Sequence, residues 1–218
     1  MALPKVYVDT NVMKFSATRL PRLVPRQQIV NWGDRDHEVI VHDFVDINPN
    51  DRISNPDLKA EVDLLPNLAE LGTSGRIEYV IQFETIFETL GLPNLDSSTG
   101  RFYGSPCTTV DAPISYSRVI VGGCADPTEM QFEFLKSVKS ARFLELQRMT
   151  GAYQGERKLN RNQFLDAFHL WCAEHNKCDY FLTLDFKLIK VLEQNRKRRL
   201  LVGVVRPSEL LVVISDGT

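Results

Sequence analysis

The sequence lacks any stretch approaching the roughly 18 apolar residues of a membrane span. Its start, MALPKVYVDTNV, carries no basic segment followed by a long apolar run, so the expectation is a cytoplasmic chain without a membrane partner. Cysteine is scarce. Cys107, Cys124, Cys172 and Cys178 are too few and too scattered for a disulfide framework, and they read as free thiols. His169, Cys172, His175 and Cys178 recur at every third residue. On a helix, steps of three turn each residue back by about 60°, so the four spread over half the circumference and do not converge on a zinc ion. An excess of charge is missing as well, since 26 Lys and Arg stand against 28 Asp and Glu for a formal net charge of −2. No global field draws the chain to nucleic acid, and any such binding must use a local patch. Internal repeats and low-complexity tracts are absent.

What is present is 43% apolar residues over 218 positions, enough for one domain with a sizeable core. The informative stretch is Phe164 to Lys187. Asn160 and Gln163 have capping-box spacing, which predicts a helix from Asn160 to about His175 with Asp166 in its first two turns. Tyr180 to Leu184 is apolar without alternation, as in a parallel strand covered on both faces, and Asp185 sits at its carboxyl end. Ligands of open α/β sheets bind outside such strand ends. The competing reading is that Asp185 only caps the helix beginning at Phe186, and that Asp166 only faces the dipole of its own helix.

Lys5 to Val8 repeats the pattern, a short apolar strand ending in Asp9 before the helical residues Val12, Met13 and Phe15. Within residues 17–55, Gln28 to Trp32 and Glu38 to Phe44 predict a projecting antiparallel hairpin over 26–46, with a four-to-five-residue turn at Gly33 to Asp36. Asn55 and Pro56 open a helix with an apolar stripe up to Gly72 as its stop, which Pro66 should kink or split. Arg76 to Ile81 reads as a sheet strand, followed by a helix over Phe83 to Leu90 on which Glu84 and Glu88 share a face. Residues 91–125 are rich in Gly, Ser, Thr and Pro, with a strand expected at Arg118 to Val121. Asp126 to Glu129 then opens one long helix running to Gly151. After the helix Phe186 to Gln194 come a basic run, Arg196 to Arg199, and a last sheet strand, Leu200 to Val205.

The order of these parts resembles the PIN domain family of metal-dependent nucleases, which includes toxin ribonucleases and RNA-processing nucleases. Strand then Asp9-Thr10-Asn11, strand and helix with Glu88, helical Asp166-Ala167, and strand then Thr183-Leu184-Asp185 carry the resemblance, as does the ending Val204 to Leu211. It covers about half the chain and implies a PIN-like three-layer α/β/α domain over 1–218. The central sheet would be mainly parallel, with insertions at about 17–55 and 91–158. The resemblance further implies that Asp9, Glu88, Asp166 and Asp185 are catalytic and bind Mg²⁺ or Mn²⁺, supported by Thr10, Asn11, Glu84 and Thr183. The activity implied is endoribonuclease cleavage of single-stranded RNA by water activated at the ion, leaving a 5′-phosphate and a 3′-hydroxyl. Lys187, Lys190, Arg196, Lys197, Arg198 and Arg199 are then expected to contact RNA phosphates, and an antitoxin protein or a homodimer is a partner that the resemblance admits.

Elementary electrostatics agrees with that carry-over. Carboxylates 4 Å apart repel by about 4 kcal/mol per pair at an effective dielectric of 20, so a cluster of four needs protons or cations. All-oxygen donors select hard ions over zinc. Two other readings stand beside it: a PIN-like module kept for binding or assembly, with its acids serving as caps, and a haloacid dehalogenase-type phosphatase. The latter chemistry uses a second Asp two positions after the first, and here that position is Asn11.

Overall fold

A computed structural model describes residues 3–89, 101–116, 127–153, 160–195 and 199–216. Five parallel strands form the body of one sheet: β1 (Lys5–Val8), β4 (Glu78–Gln82), β6 (Ser105–Val110), β7 (Tyr180–Leu182) and β8 (Gly203–Val205). The short β5 (Arg101–Phe102) adds an antiparallel edge, giving the order β5-β6-β4-β1-β7-β8. A separate two-stranded ribbon pairs β2 (Leu20–Trp32) with β3 (Arg35–Ile47).

The central strands β1, β4 and β7 are largely apolar because both sheet faces are covered. Val6, Val8, Tyr79, Ile81 and Leu182 point into one core with the helices α1 (Thr10–Phe15), α2 (Pro56–Val62), α3 (Leu65–Thr73) and α9 (Pro207–Asp216). Tyr7, Val80 and Phe181 point into the other, against α5 (Pro127–Ser137), α6 (Ala141–Thr150), α7 (Arg161–His175) and α8 (Phe186–Gln194). With α4 (Phe83–Thr89) following β4, this is a helix-sheet-helix architecture around a mainly parallel sheet. Among the described residues, no helix is long and apolar enough to cross a membrane.

Several boundaries differ from the sequence-based expectations, each for a local reason. The helix predicted from Pro56 to Gly72 splits into α2 and α3 ahead of Pro66, which takes a first-turn place in α3 where its missing N–H costs nothing. Gly72 is not the stop. It lies inside α3 because a Cβ there would meet Ser105 Oγ at 2.2 Å and the Tyr79 ring at 2.6 Å, so its role is close helix-sheet approach. The long helix expected from Asp126 to Gly151 is two, because Ser140 turns extended and caps α6 at Phe143 N, while Gly151 ends it in the left-handed region at φ 78°. The hairpin strands run longer than expected, and the turn contains only Gly33 and Asp34, both at φ 63°, as a tight two-residue hairpin requires. The second insertion is in part core: β6 lies within it and extends the sheet beside β4, a strand that the polar sequence SPCTTV hides. The strand expected at Arg118 to Val121 lies outside the described residues.

Candidate functional site

All five parallel strands end on one edge, and the chain changes direction at β1. From there it builds outward through β4 and β6 on one side, then returns to place β7 and β8 on the other. The crevice at such a switch point is where open α/β sheets bind ligands. Asp9 and Thr183 occupy it. Asp9 N continues the ladder by donating to Leu182 O at 3.1 Å, and Thr183 N does the same to Val205 O at 3.1 Å.

Asp9 opens α1 in an extended conformation, yet its side chain caps nothing. Instead it is buried, and its Oδ2 accepts the Thr183 hydroxyl at 2.7 Å. That hydroxyl oxygen in turn accepts Asn11 Nδ2 at 3.0 Å and Asp185 N at 3.0 Å, while Asn11 Oδ1 accepts Leu184 N at 3.0 Å. Asn11 and Thr183 therefore lock the β1 and β7 ends together and aim Asp9 outward from them. Asp185 does cap its helix, accepting Lys187 N at 2.8 Å and Leu188 N at 2.9 Å through Oδ1. Its capping role and a place in the site are compatible, because those two bonds use a single oxygen.

Asp166 is half-buried on α7 and carries the strongest electrostatic signature of the four acids. Burial, then the charges of Asp9 and Asp185, push its carboxyl well above the ordinary range, with Glu88 adding to them. Asp9 is raised too, by burial first, against the opposing pull of His169 and the Thr183 hydroxyl. The charges of Asp9, Asp185 and Glu88 thus all bear on Asp166. Among the described residues, no three His, Cys, Asp or Glu side chains close on one point as preformed metal ligands.

Glu88 explains part of that. Its Oε1 is taken by His169 Nε2 at 3.0 Å, and His169 Nδ1 lies 2.8 Å from the Tyr7 hydroxyl. Burial pulls the His169 pKa down, but Glu88 through charge and hydrogen bond, with Asp9 and Asp166, lifts it to about 9. The Glu88 carboxylate can only accept, so His169 Nε2 carries the proton that joins them. Burial raises Glu88, but His169, with help from Thr10 and Lys14, more than reverses this and leaves the carboxyl below its usual value. His169 is the member of this group that the three-residue repeat of His and Cys obscures; the signal for it in the sequence is the i, i+3 spacing of Asp166 and His169 on one helix.

Thr10 is buried beside this group, and its hydroxyl makes no hydrogen bond of normal geometry among the described residues. Glu84 is fully buried and accepts the Tyr116 hydroxyl at 2.9 Å and Gln131 Nε2 at 2.6 Å, so it braces α4 against its neighbours. Of the expected phosphate contacts, Lys187, Lys190 and Arg199 are exposed, and Arg196, Lys197 and Arg198 lie outside the described residues. Cys107, Cys172 and Cys178 are free thiols, and Cys124 is outside the described residues.

The donor chemistry of the edge suits a hard divalent cation. Carboxylate oxygens, and acids raised by burial and then by one another's charge, are relieved by positive charge. Two sizeable cavities of about 560 and 680 Å³ lie elsewhere, lined by residues such as Lys139, Leu144 and Tyr153, and by Gln82, Asp111 and Tyr116; none of the four acids lines either. No protein-family model matches the chain, and no curated protein is significantly similar to it.

Proposed function

We propose that this protein is a PIN-like, Mg²⁺- or Mn²⁺-dependent endoribonuclease acting on single-stranded RNA. The observation that supports the reading is Asp9, buried at the switch point of the sheet with its side chain off its own helix, together with the charges of Asp9, Asp185 and Glu88 bearing on Asp166. A protein that needed these acids only as helix caps would have no reason to bury Asp9 with its side chain off the helix.

In this reading Asp9, Glu88, Asp166 and Asp185 hold the cation. When bound, the ion supplies the charge that acidifies a water and stabilises the leaving oxygen of the phosphodiester. The protein's own groups do the rest. Thr183 and Asn11 fix the direction of Asp9, and Asp185 keeps one oxygen outside its cap because Oδ1 alone takes Lys187 N and Leu188 N. His169, itself held by the Tyr7 hydroxyl, keeps Glu88 in place. The exposed Lys187 and Lys190, one turn beyond Asp185, contribute phosphate contacts. The phosphatase reading loses ground because Asn11 is spent on bracing Thr183 and Leu184.

A binding module remains the second reading, favoured by the ion pair that already satisfies Glu88. Cleavage of a mixed-sequence RNA, measured in EDTA, Mg²⁺ and Mn²⁺ for the wild type and Asp166→Asn, separates the two. The nuclease predicts cation-dependent cutting that Asp166→Asn abolishes. EDTA-resistant activity, or cutting by Asp166→Asn at the wild-type rate, overturns it, and silence of the wild type under every condition leaves the binding module.

A further inference from the structure

The ribbon of β2 and β3 is the least explained part of the molecule. Thirteen residues per strand make it about 40 Å long at roughly 3.3 Å per residue. Nearly every side chain described along it is exposed, including Trp32 at 79% beside the turn. An isolated two-stranded ribbon is marginal in water, so one of this length calls for a ligand that lies along it.

Its register sorts charge by face. Side chains alternate along each strand, and the pairs Arg22 with Val45, Arg26 with Val41, Val30 with His37 and Trp32 with Arg35 put these residues on one side. That side carries three guanidiniums, one imidazole and a single carboxylate, Asp43. The opposite side carries Asp36, Glu38 and Asp46 with no Arg or Lys. In a chain of net charge −2, three arginines on one exposed face beside a solvent-facing indole are a local basic patch with a stacking surface. Arg22 and Arg35 meet no carboxylate among the described residues, and the bond of Arg26 to Asp43 at 2.7 Å is an exposed pair that a phosphate can displace.

The base of the ribbon is tied to the end of α1, the helix that Asp9 opens. Asn50 Nδ2 and the Tyr103 hydroxyl donate to Phe15 O at 2.8 and 2.7 Å, fixing the chain where α1 ends. At 1.5 Å per helical residue, α1 spans only about 10 Å from Asp9 to that anchor.

We infer that the Arg22, Arg26 and Arg35 face of the β2-β3 ribbon is a binding arm for single-stranded RNA, gripping the phosphate backbone while Trp32 stacks on a base. The acidic face is turned away from the strand. A stacked strand advances about 3.4 Å per nucleotide, so the arm spans roughly a dozen nucleotides and adds affinity only for substrates that reach along it. Such an arm serves the acid edge only if that edge is the ribonuclease site proposed above, and the experiment separates the two.

Binding of fluorescein-labelled mixed-sequence RNAs of 24 and 6 nucleotides is read by fluorescence anisotropy in EDTA, where no cation-dependent cleavage occurs. The variant Arg22→Gln/Arg26→Gln/Arg35→Gln is expected to bind the 24-mer at least tenfold more weakly. Its slope of log affinity against log salt should fall by about 2, at 0.7 per lost contact, with the 6-mer changed less than twofold. Trp32→Ala should weaken the 24-mer without altering that slope. A charge-matched variant elsewhere on the body, Lys59→Gln/Lys136→Gln/Arg148→Gln, is expected to stay within threefold of wild type. Circular dichroism checks that each variant is folded. The arm is overturned if the wild type does not bind the 24-mer, or if the arm variant loses no more than the charge-matched one. It is equally overturned if Leu23→Ser/Phe44→Ser on the opposite face breaks a dimer while the arginine variant binds normally, which makes the ribbon a protein interface. Wild-type binding that depends on the arm without any cleavage in Mn²⁺ sinks the nuclease reading and keeps the arm. Cleavage whose KM ignores the arm sinks the arm and keeps the nuclease.

Discussion

Thr183 gives its hydroxyl proton to Asp9 across 2.7 Å, joining residues 174 positions apart at the point where the sheet changes direction. The same oxygen accepts from Asn11 and from the Asp185 backbone, so one hydroxyl sets the geometry of three elements. Thr183→Val keeps the shape and removes all three bonds. It is expected to cost about 1–3 kcal/mol in urea unfolding through the buried groups left unpaired, with Thr183→Ser recovering most of that. Equal stability of Thr183→Val and wild type would show that the network is incidental.

Asp166 is charged at a cost, because burial and the neighbouring acids hold its pKa well above the usual value. An acid raised on folding favours the folded state most at low pH, and that advantage is lost as pH rises through its folded pKa. At pH 8 in EDTA, Asp166→Asn is therefore expected to melt higher than wild type. A gain of roughly 1 kcal/mol gives about 2–4 °C for a chain of this size. Mn²⁺ should raise the wild-type midpoint and leave Asp166→Asn nearly unmoved.

His169 gives a pH dependence of the same sign, because its pKa is raised on folding as well. Its pKa rises from 6.5 in the unfolded chain to about 9 on folding, so its stabilisation is complete below 6.5 and fades as pH climbs through 9. Between those limits the wild type should lose on the order of 3 kcal/mol, at 1.36 per pKa unit. His169→Gln should show a flatter profile over that window and lower stability at pH 6. Superimposable curves for the two proteins would mean that Glu88 and His169 are not an ion pair.

Gly72→Ala tests the packing of α3 on the sheet. Helix propensity alone favours alanine by about 1 kcal/mol. Because the new methyl must displace Ser105 and Tyr79, the net effect expected is destabilisation by about 1–3 kcal/mol. The double variant with Ser105→Gly should recover part of the loss.

Glu61 on α2 accepts both the backbone N and the hydroxyl of Ser208, at 2.9 and 2.7 Å, satisfying the first turn of α9 from another helix. Glu61→Ala is expected to cost about 1–2 kcal/mol and to increase amide exchange at Ser208 and its neighbours. Unchanged exchange there would mean that α9 docks through Leu210 and Ile214 alone.

Local sequence determined much of this protein. Apolar runs without alternation at Lys5 to Val8 and Tyr180 to Leu184 announced strands buried on both faces, and Asn55, Asn160 and Asp185 are the caps their positions imply. Those signals are legible because backbone donors at a helix start and two-sided burial act within a few residues of the chain. The order of acids along the chain also pointed to one end of one sheet. What only the tertiary structure decided were relationships between distant residues. Nothing near Glu84 or Glu88 says which of them faces Asp9, and the choice falls to Tyr116, Gln131 and His169, all packed in from other elements. The strand β6 is polar because it lies near the sheet's edge, so its pairing with β4 leaves no hydrophobic pattern to read. The Thr183 hydroxyl reaches Asp9 only because β1 and β7 are neighbours, and that adjacency is set by packing of the whole sheet between two helical layers.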